Sequence, residues 1–295
     1  MAEYRHAMVK DGKGGHVVFP PFVTQKELDA ISERFVVRDD DVFVVAYPKS
    51  GTTWMEQIVH LLANGGDQGD KVLSEAVPWV EGAANKYGGL DSLLGNATGR
   101  RFFHSHLPYA LMPGVTDTRA RYVYVARNPK DNAVSFYYHS CSKLDYEGSW
   151  EEFFELFIRG QVGYGLVLDH VLDWWDGSRK NERILFVKYE DMKREPAEAV
   201  SRVASFIGVR CDDELLRTVV DKSSFASMAS NELANLDWVP QKEGVPRHMR
   251  KGIVGDWREH FSDEQSRRFD ALYSQKMRGT GLRFDFGDGL VLPAE

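Results

Sequence analysis

Between residues 47 and 54 the chain reads Tyr-Pro-Lys-Ser-Gly-Thr-Thr-Trp, an octet that concentrates the means of holding an anion. Lys49 supplies a full positive charge, Ser50, Thr52 and Thr53 supply hydroxyl donors, and Gly51 lets backbone N–H groups approach a ligand closely. If a helix starts here, its free amides and the positive end of its dipole aim at the same place. Phosphate is the natural guest. The order is not that of the Walker loop G-x-x-x-x-G-K-[ST], because the lysine precedes the only glycine of the octet. The plain alternative is a strand-to-helix turn with hydroxyl caps. A second grouping, Arg250-Lys251-Gly252-Ile253-Val254-Gly255-Asp256-Trp257, sets two adjacent cations ahead of two glycines. On its own, such a pair is ordinarily a solvated surface feature.

These residues need elements to position them. Val42-Phe43-Val44-Val45-Ala46-Tyr47 is too short and too uniformly apolar for a helix, so it reads as a buried strand. Pro48 and Gly51 break it, and Met55, Ile58, Val59 and Leu62 then mark one face of a helix that ends near Asn64-Gly65-Gly66. A second unit runs from Tyr122–Ala126 through Arg127 into Asn128-Pro129, a cap followed by a suitable first helical residue, and that helix carries Ser135. A third run, Ile184–Val187, leads past Tyr189 into one helical stretch through Val200, Val203 and Phe206. Ser262 and Gln265 have the spacing of a capping box. Strand and helix alternate, which predicts an α/β fold: one domain over residues 1–295, with a central parallel sheet flanked by helices on both faces.

Composition narrows the function. The 295 residues are 43% hydrophobic and 27% charged, which fits neither a disordered chain nor a membrane protein. Net charge is 37 − 44 = −7, so no overall positive field gathers nucleic acid or anionic lipid, and an anionic ligand needs a local basic site. Cys141 and Cys211 are too few for a disulfide framework and are expected to be reduced. With no apolar signal core near the first residues and no membrane-length apolar run, a cytoplasmic protein is expected.

Taken together, Tyr47–Trp54 and Arg250–Trp257 resemble the signature pair of the cytosolic sulfotransferases. Tyr124–Asp131, His106-Leu107-Pro108 and Tyr189-Glu190-Asp191-Met192 follow in that family's order, and the similarity covers roughly residues 17 to 285. The resemblance implies a P-loop-like loop for the 5′-phosphosulfate of 3′-phosphoadenosine 5′-phosphosulfate (PAPS), 3′,5′-adenosine bisphosphate (PAP) as product, and no metal. It assigns Lys49 to the leaving bridging oxygen and His106 to the acceptor's proton, a role that suits the side chain titrating nearest neutrality. Arg127, Ser135, Arg250, Lys251 and Gly252 go to the 3′-phosphate, while Trp54, Tyr189, Ser223, Phe225, Met228 and Met249 go to the rest of the nucleotide site. For the acceptor, Phe22, Trp79, Phe136, Tyr138 and Tyr164 suit a flat phenolic ring or serve equally as core, and His104 adjoins them.

Two departures matter. Relatives commonly have Lys-Thr-His where this chain has His104-Ser105-His106, so a fixed cation gives way to a titratable ring. The family's short dimer motif falls on Arg258, Ser262, Asp263 and Arg267 without matching, which leaves monomer or dimer open. The expected partner is a small-molecule acceptor, phenolic or an amine, with an aliphatic or steroid-like alcohol as the alternative. A non-catalytic nucleotide-binding protein and an ATP-dependent kinase are the competing readings. Retention of Lys49, His106 and Ser135 argues against the first, and the displaced lysine argues against the second.

Overall fold

Every residue of Val42–Ala46 is buried, and the pattern has no polar alternation because both faces of this strand meet apolar layers. The computed structural model describes residues 4–83, 88–95, 99–236 and 246–292. In chain order its elements are β1 (Ala7–Lys10), β2 (His16–Phe19), α1 (Gln25–Arg34), β3 (Val42–Ala46), α2 (Thr52–Ala63), α3 (Leu73–Ala76), α4 (Leu90–Leu94), β4 (Phe102–Ser105), β5 (Arg121–Ala126), α5 (Pro129–Lys143), α6 (Trp150–Ile158), α7 (Val167–Ser178), β6 (Ile184–Lys188), α8 (Tyr189–Arg194), α9 (Pro196–Ile207), α10 (Asp213–Lys222), α11 (Phe225–Ser230) and α12 (Asp263–Met277).

β3 to β6 form a four-stranded, wholly parallel sheet in the order β4-β3-β5-β6. Along β3, Val42, Val44 and Ala46 join Val123 and Val125 in a layer covered by α2 and α9. Phe43 and Val45 face the other way, with Tyr122 and Tyr124, into a layer covered by α6, α7 and α12. The chain leaves β3 toward β4 on one side and leaves β5 toward β6 on the other. Their carboxyl ends therefore flank the crevice at which such sheets bind ligands. β1 and β2 pair antiparallel, apart from this sheet.

Local signals set the helix starts. The Asn128 side chain accepts from Asp131 N at 2.9 Å, and Pro129 occupies the first turn of α5. Ser262 and Gln265 exchange hydrogen bonds at 3.0 and 3.2 Å, as the capping box requires. The single stretch expected after Tyr189 is instead two helices. Pro196 forces Glu195 out of the helical region (φ −132°, ψ 68°), so α8 ends there and α9 begins anew. Both cysteines are free thiols. Among the described residues, no helix is long and apolar enough to cross a membrane.

Candidate active site

The octet becomes the turn between β3 and α2. Gly51 caps α2 with left-handed backbone (φ 109°), and a Cβ added there would lie 2.8 Å from the Tyr189 ring. The first-turn amides of α2 have no helical carbonyl ahead of them, and the Thr52 hydroxyl has no hydrogen-bond partner among the described residues. Asn132 on α5 holds the turn from below, donating to Pro48 O at 2.7 Å and to the Ser50 hydroxyl at 3.1 Å. Lys49 is left-handed without being glycine (φ 68°), a strain tolerated where surrounding structure dictates side-chain aim. Burial, followed by Arg127, Lys143 and Arg250, pulls its pKa down to about 7. The loop is therefore short of negative charge, the condition a bound phosphate relieves.

Arg127, at the end of β5, joins the two motifs. One guanidinium nitrogen donates to Lys49 O at 3.3 Å and another to Ile253 O at 3.1 Å, while the plane lies 4.6 Å from the Tyr189 ring centroid. Its Nε has no partner among the described residues although it is buried, as expected of a donor reserved for an anion. Gly252 is left-handed (φ 64°) and sits so close to Phe225 that a Cβ would approach the ring to 2.3 Å. Arg250 and Lys251 bond to Asp256, and Lys251 also reaches Glu259 at 2.7 Å. Burial alone would raise the Asp256 pKa, but these two cations outweigh it and lower it.

Asp131 ties this second loop to α5. Its carboxylate accepts from Gly255 N at 2.8 Å and Trp257 N at 2.9 Å, as well as from the Asn128 side chain at 2.8 Å. Asp131→Ala strands two loop amides and should cost on the order of 3 kcal/mol, seen as a lower urea midpoint at unchanged slope. An unaltered midpoint would show that these ties carry no stability.

His106 directly follows β4. Its Nδ1 lies 2.8 Å from Ala46 O, and because a carbonyl only accepts, Nδ1 carries the proton and Nε2 is the basic nitrogen. Glu81 accepts from His106 N at 2.5 Å and from the Ser105 hydroxyl at 2.9 Å. Burial raises the Glu81 pKa, against the lowering effect of its donors. His170, its pKa pulled down by burial to about 4, donates from Nε2 to His106 O at 2.9 Å and accepts the Tyr124 hydroxyl at 2.9 Å. His106 is thus fixed in tautomer and in backbone position. The adjoining wall is aromatic: Trp79 stacks on His104 at 6.0 Å, and Phe22 and His106 stand edge-on to Trp79. Tyr164 stands edge-on to His106.

One cavity of about 270 Å³ connects these parts. It is lined by Lys49, Gly51, Thr52, Thr53, Trp54, Arg127, Ser135, Tyr189, Ser223, Phe225, Met228, Met249, Arg250, Lys251 and Gly252, and by Phe22, Trp79, His104, His106, Phe136 and Tyr164. Two residues singled out from sequence lie elsewhere. Ser50 is 1% exposed, with its hydroxyl turned to Asn132, because it closes the turn rather than facing the cavity. Tyr138 lines a smaller adjoining hollow, its ring 4.9 Å beneath Arg250. Four residues at the site carry no signal in the local sequence: Glu81, His170, His248 and Glu56. The Glu56 carboxylate is 3.3 Å from His104 Nδ1, which also lies 3.0 Å from Val77 O. His104 therefore has a buried acidic neighbour.

A parallel α/β sheet whose carboxyl edge gathers two basic loops and one oriented imidazole sets an anion site beside a proton acceptor. The family model for the sulfotransferase domain matches residues 39–281, and the chain belongs to this family, that of the cytosolic sulfotransferases. It is 38% identical over 263 residues to sulfotransferase 1C2 of Rattus norvegicus, covering 85% of this chain and 88% of that protein. It is also 38% identical over 264 residues to sulfotransferase 1B1 of Canis lupus familiaris, with the same two shares. It matches the crystal structure of retinol dehydratase in complex with androsterone and inactive cofactor PAP with a TM-score of 0.80 at 25% identity, covering 92% of this chain and 89% of that one. Mouse sulfotransferase SULT7A1 complexed with PAP matches with a TM-score of 0.73 at 29% identity, covering 90% and 93%.

Proposed function

We propose that this chain transfers the sulfuryl group of PAPS to the hydroxyl of a small, flat aromatic acceptor. A single observation carries the reading: one cavity runs from the Lys49 loop and the Arg127–Arg250 pole to the aromatic wall around His106. When bound, PAPS supplies an SO3 group on a phosphate oxygen. The residues around it orient the partners and stabilise charge. The α2 amides, Thr52 and Thr53 hold the 5′-phosphate, while Arg127, Ser135, Arg250 and Lys251 hold the 3′-phosphate. Trp54, Tyr189 and Phe225 enclose the adenine. Lys49 neutralises charge on the leaving oxygen, and His106 Nε2 takes the acceptor's proton. Phe22, Trp79, Phe136 and Tyr164 favour a ring-shaped acceptor because an aromatic lining excludes water around it without demanding polar partners.

PAP should stabilise the protein far more than ADP, which lacks the 3′-phosphate. At about 100 times its dissociation constant PAP adds roughly 2.7 kcal/mol, read as a thermal shift. Equal stabilisation by the two nucleotides would remove the PAPS assignment. Sulfation assays on phenols, aryl amines and steroid alcohols then test the acceptor class, and a preference for the steroid alcohols would overturn it.

A further inference from the structure

The mechanism above leaves one titratable ring of the donor pole without a task. His248 precedes the Met249–Gly252 segment and lines both the main cavity and the smaller basic hollow beside it. The Lys49 ammonium lies 3.4 Å from its Nδ1 and 3.5 Å from its Nε2, and the Thr53 hydroxyl lies 3.4 Å from Nε2. The ring thus touches the two side chains of the phosphate loop that face a ligand there. We infer that His248 is a further binding residue for the donor's 5′-phosphate, acting as imidazolium alongside Lys49, so that nucleotide binding takes up protons. The inference rests on the proposed placement of PAPS.

The surroundings of the ring favour this behaviour. From the β3–α2 turn it faces Lys49 and Thr53; α5 presents His139, with its ring 6.1 Å away, and Lys143 across the small hollow; its own segment adds Arg247 and Arg250. An ammonium and an imidazolium about 3.5 Å apart repel, which works against charging both groups at once. A 5′-phosphate seated between Lys49, Thr53 and the ring reverses the balance, since each proton then makes a charge-assisted bond to it. The depressed pKa of Lys49 fits the same picture, in which the loop carries less positive charge when free than when loaded.

Calorimetry of PAP binding in buffers of different ionisation enthalpy, repeated across pH, tests the inference with wild type, His248→Gln and His248→Lys. The nucleotide's phosphate titrates alike in all three proteins, so the difference between them reports the ring together with its coupling to Lys49. Wild-type affinity should fall more steeply with pH than that of His248→Gln. The glutamine variant should bind about tenfold more weakly near pH 6, come within about twofold near pH 8.5, and take up fewer protons. His248→Lys, with a more basic group, should keep the low-pH affinity and lose much of the slope. Adenosine 3′-monophosphate, which has no 5′-phosphate, should not distinguish the variants from wild type. The same slope and proton uptake in wild type and His248→Gln would overturn the inference, as would an equal loss at every pH or an equal effect on adenosine 3′-monophosphate. A wild-type protein that binds no PAP would overturn the PAPS placement and this inference with it.

Discussion

Replacing His106 with alanine should lower kcat by about 10²–10⁴-fold for an unactivated alcohol while leaving PAP affinity nearly unchanged. Three bonds make the imidazole a base rather than a bystander. Nδ1–H is committed to Ala46 O at 2.8 Å, which leaves Nε2 to accept, and the peptide is pinned from both sides by Glu81 and His170. A ring whose proton is already on Nδ1 and whose backbone cannot shift takes a proton at one place only, the geometric condition for general-base work. The loss should shrink as the acceptor becomes more acidic, because a phenol that is partly ionised needs less help. A plot of the His106→Ala effect against acceptor pKa is therefore the decisive readout. Near-normal turnover of an aliphatic alcohol by the variant would show that His106 is not the base.

The sequence foretold the convergence of Lys49, Arg127 and Tyr189 for a physical reason. Each was read at or just beyond the end of a uniformly apolar run, and in a wholly parallel sheet all such ends share one edge. The α5 start was equally legible, because Asn128-Pro129 sets it by local chemistry alone. What escaped was tertiary. Glu81 lies 25 positions before His106 and belongs to no regular element, yet it supplies the carboxylate that fixes the His106 peptide. His248 meets Lys49 across 199 positions. Glu56 has the spacing of a solvent-side residue on α2 but is 3% exposed and faces His104. No local pattern marks such pairings, because nothing in either residue's neighbours specifies the partner. Ser50 and Tyr138 were misplaced for a related reason: a motif identifies the backbone stretch but not which way each side chain leaves it.

Lys49→Met should reduce kcat by about 10²–10³-fold, and Lys49→Arg should keep part of the rate while changing its dependence on pH. The argument begins with solvation. The ammonium lies in a cavity wall beside Arg127 and Arg250, and in the free protein burial first and these cations second bring its pKa down to about 7. Lysine acts here only when protonated, so its contribution is full at low pH and is lost as pH rises through about 7. The His106 imidazole has the opposite requirement, since it must be neutral to accept a proton, and its contribution is lost as pH falls. kcat/KM for the donor reports groups of the free enzyme and should therefore be bell-shaped, with an alkaline limb that starts near 7 in wild type. The donor's negative charge raises the Lys49 pKa once bound, so the same limb in kcat should lie at higher pH. A guanidinium stays charged throughout this range, and Lys49→Arg should therefore weaken the alkaline limb of kcat/KM, leaving the part that His248 supplies, even though its broader, planar head fits the turn less well. An unchanged limb in Lys49→Arg would assign that titration to another group and remove Lys49 from the pH dependence.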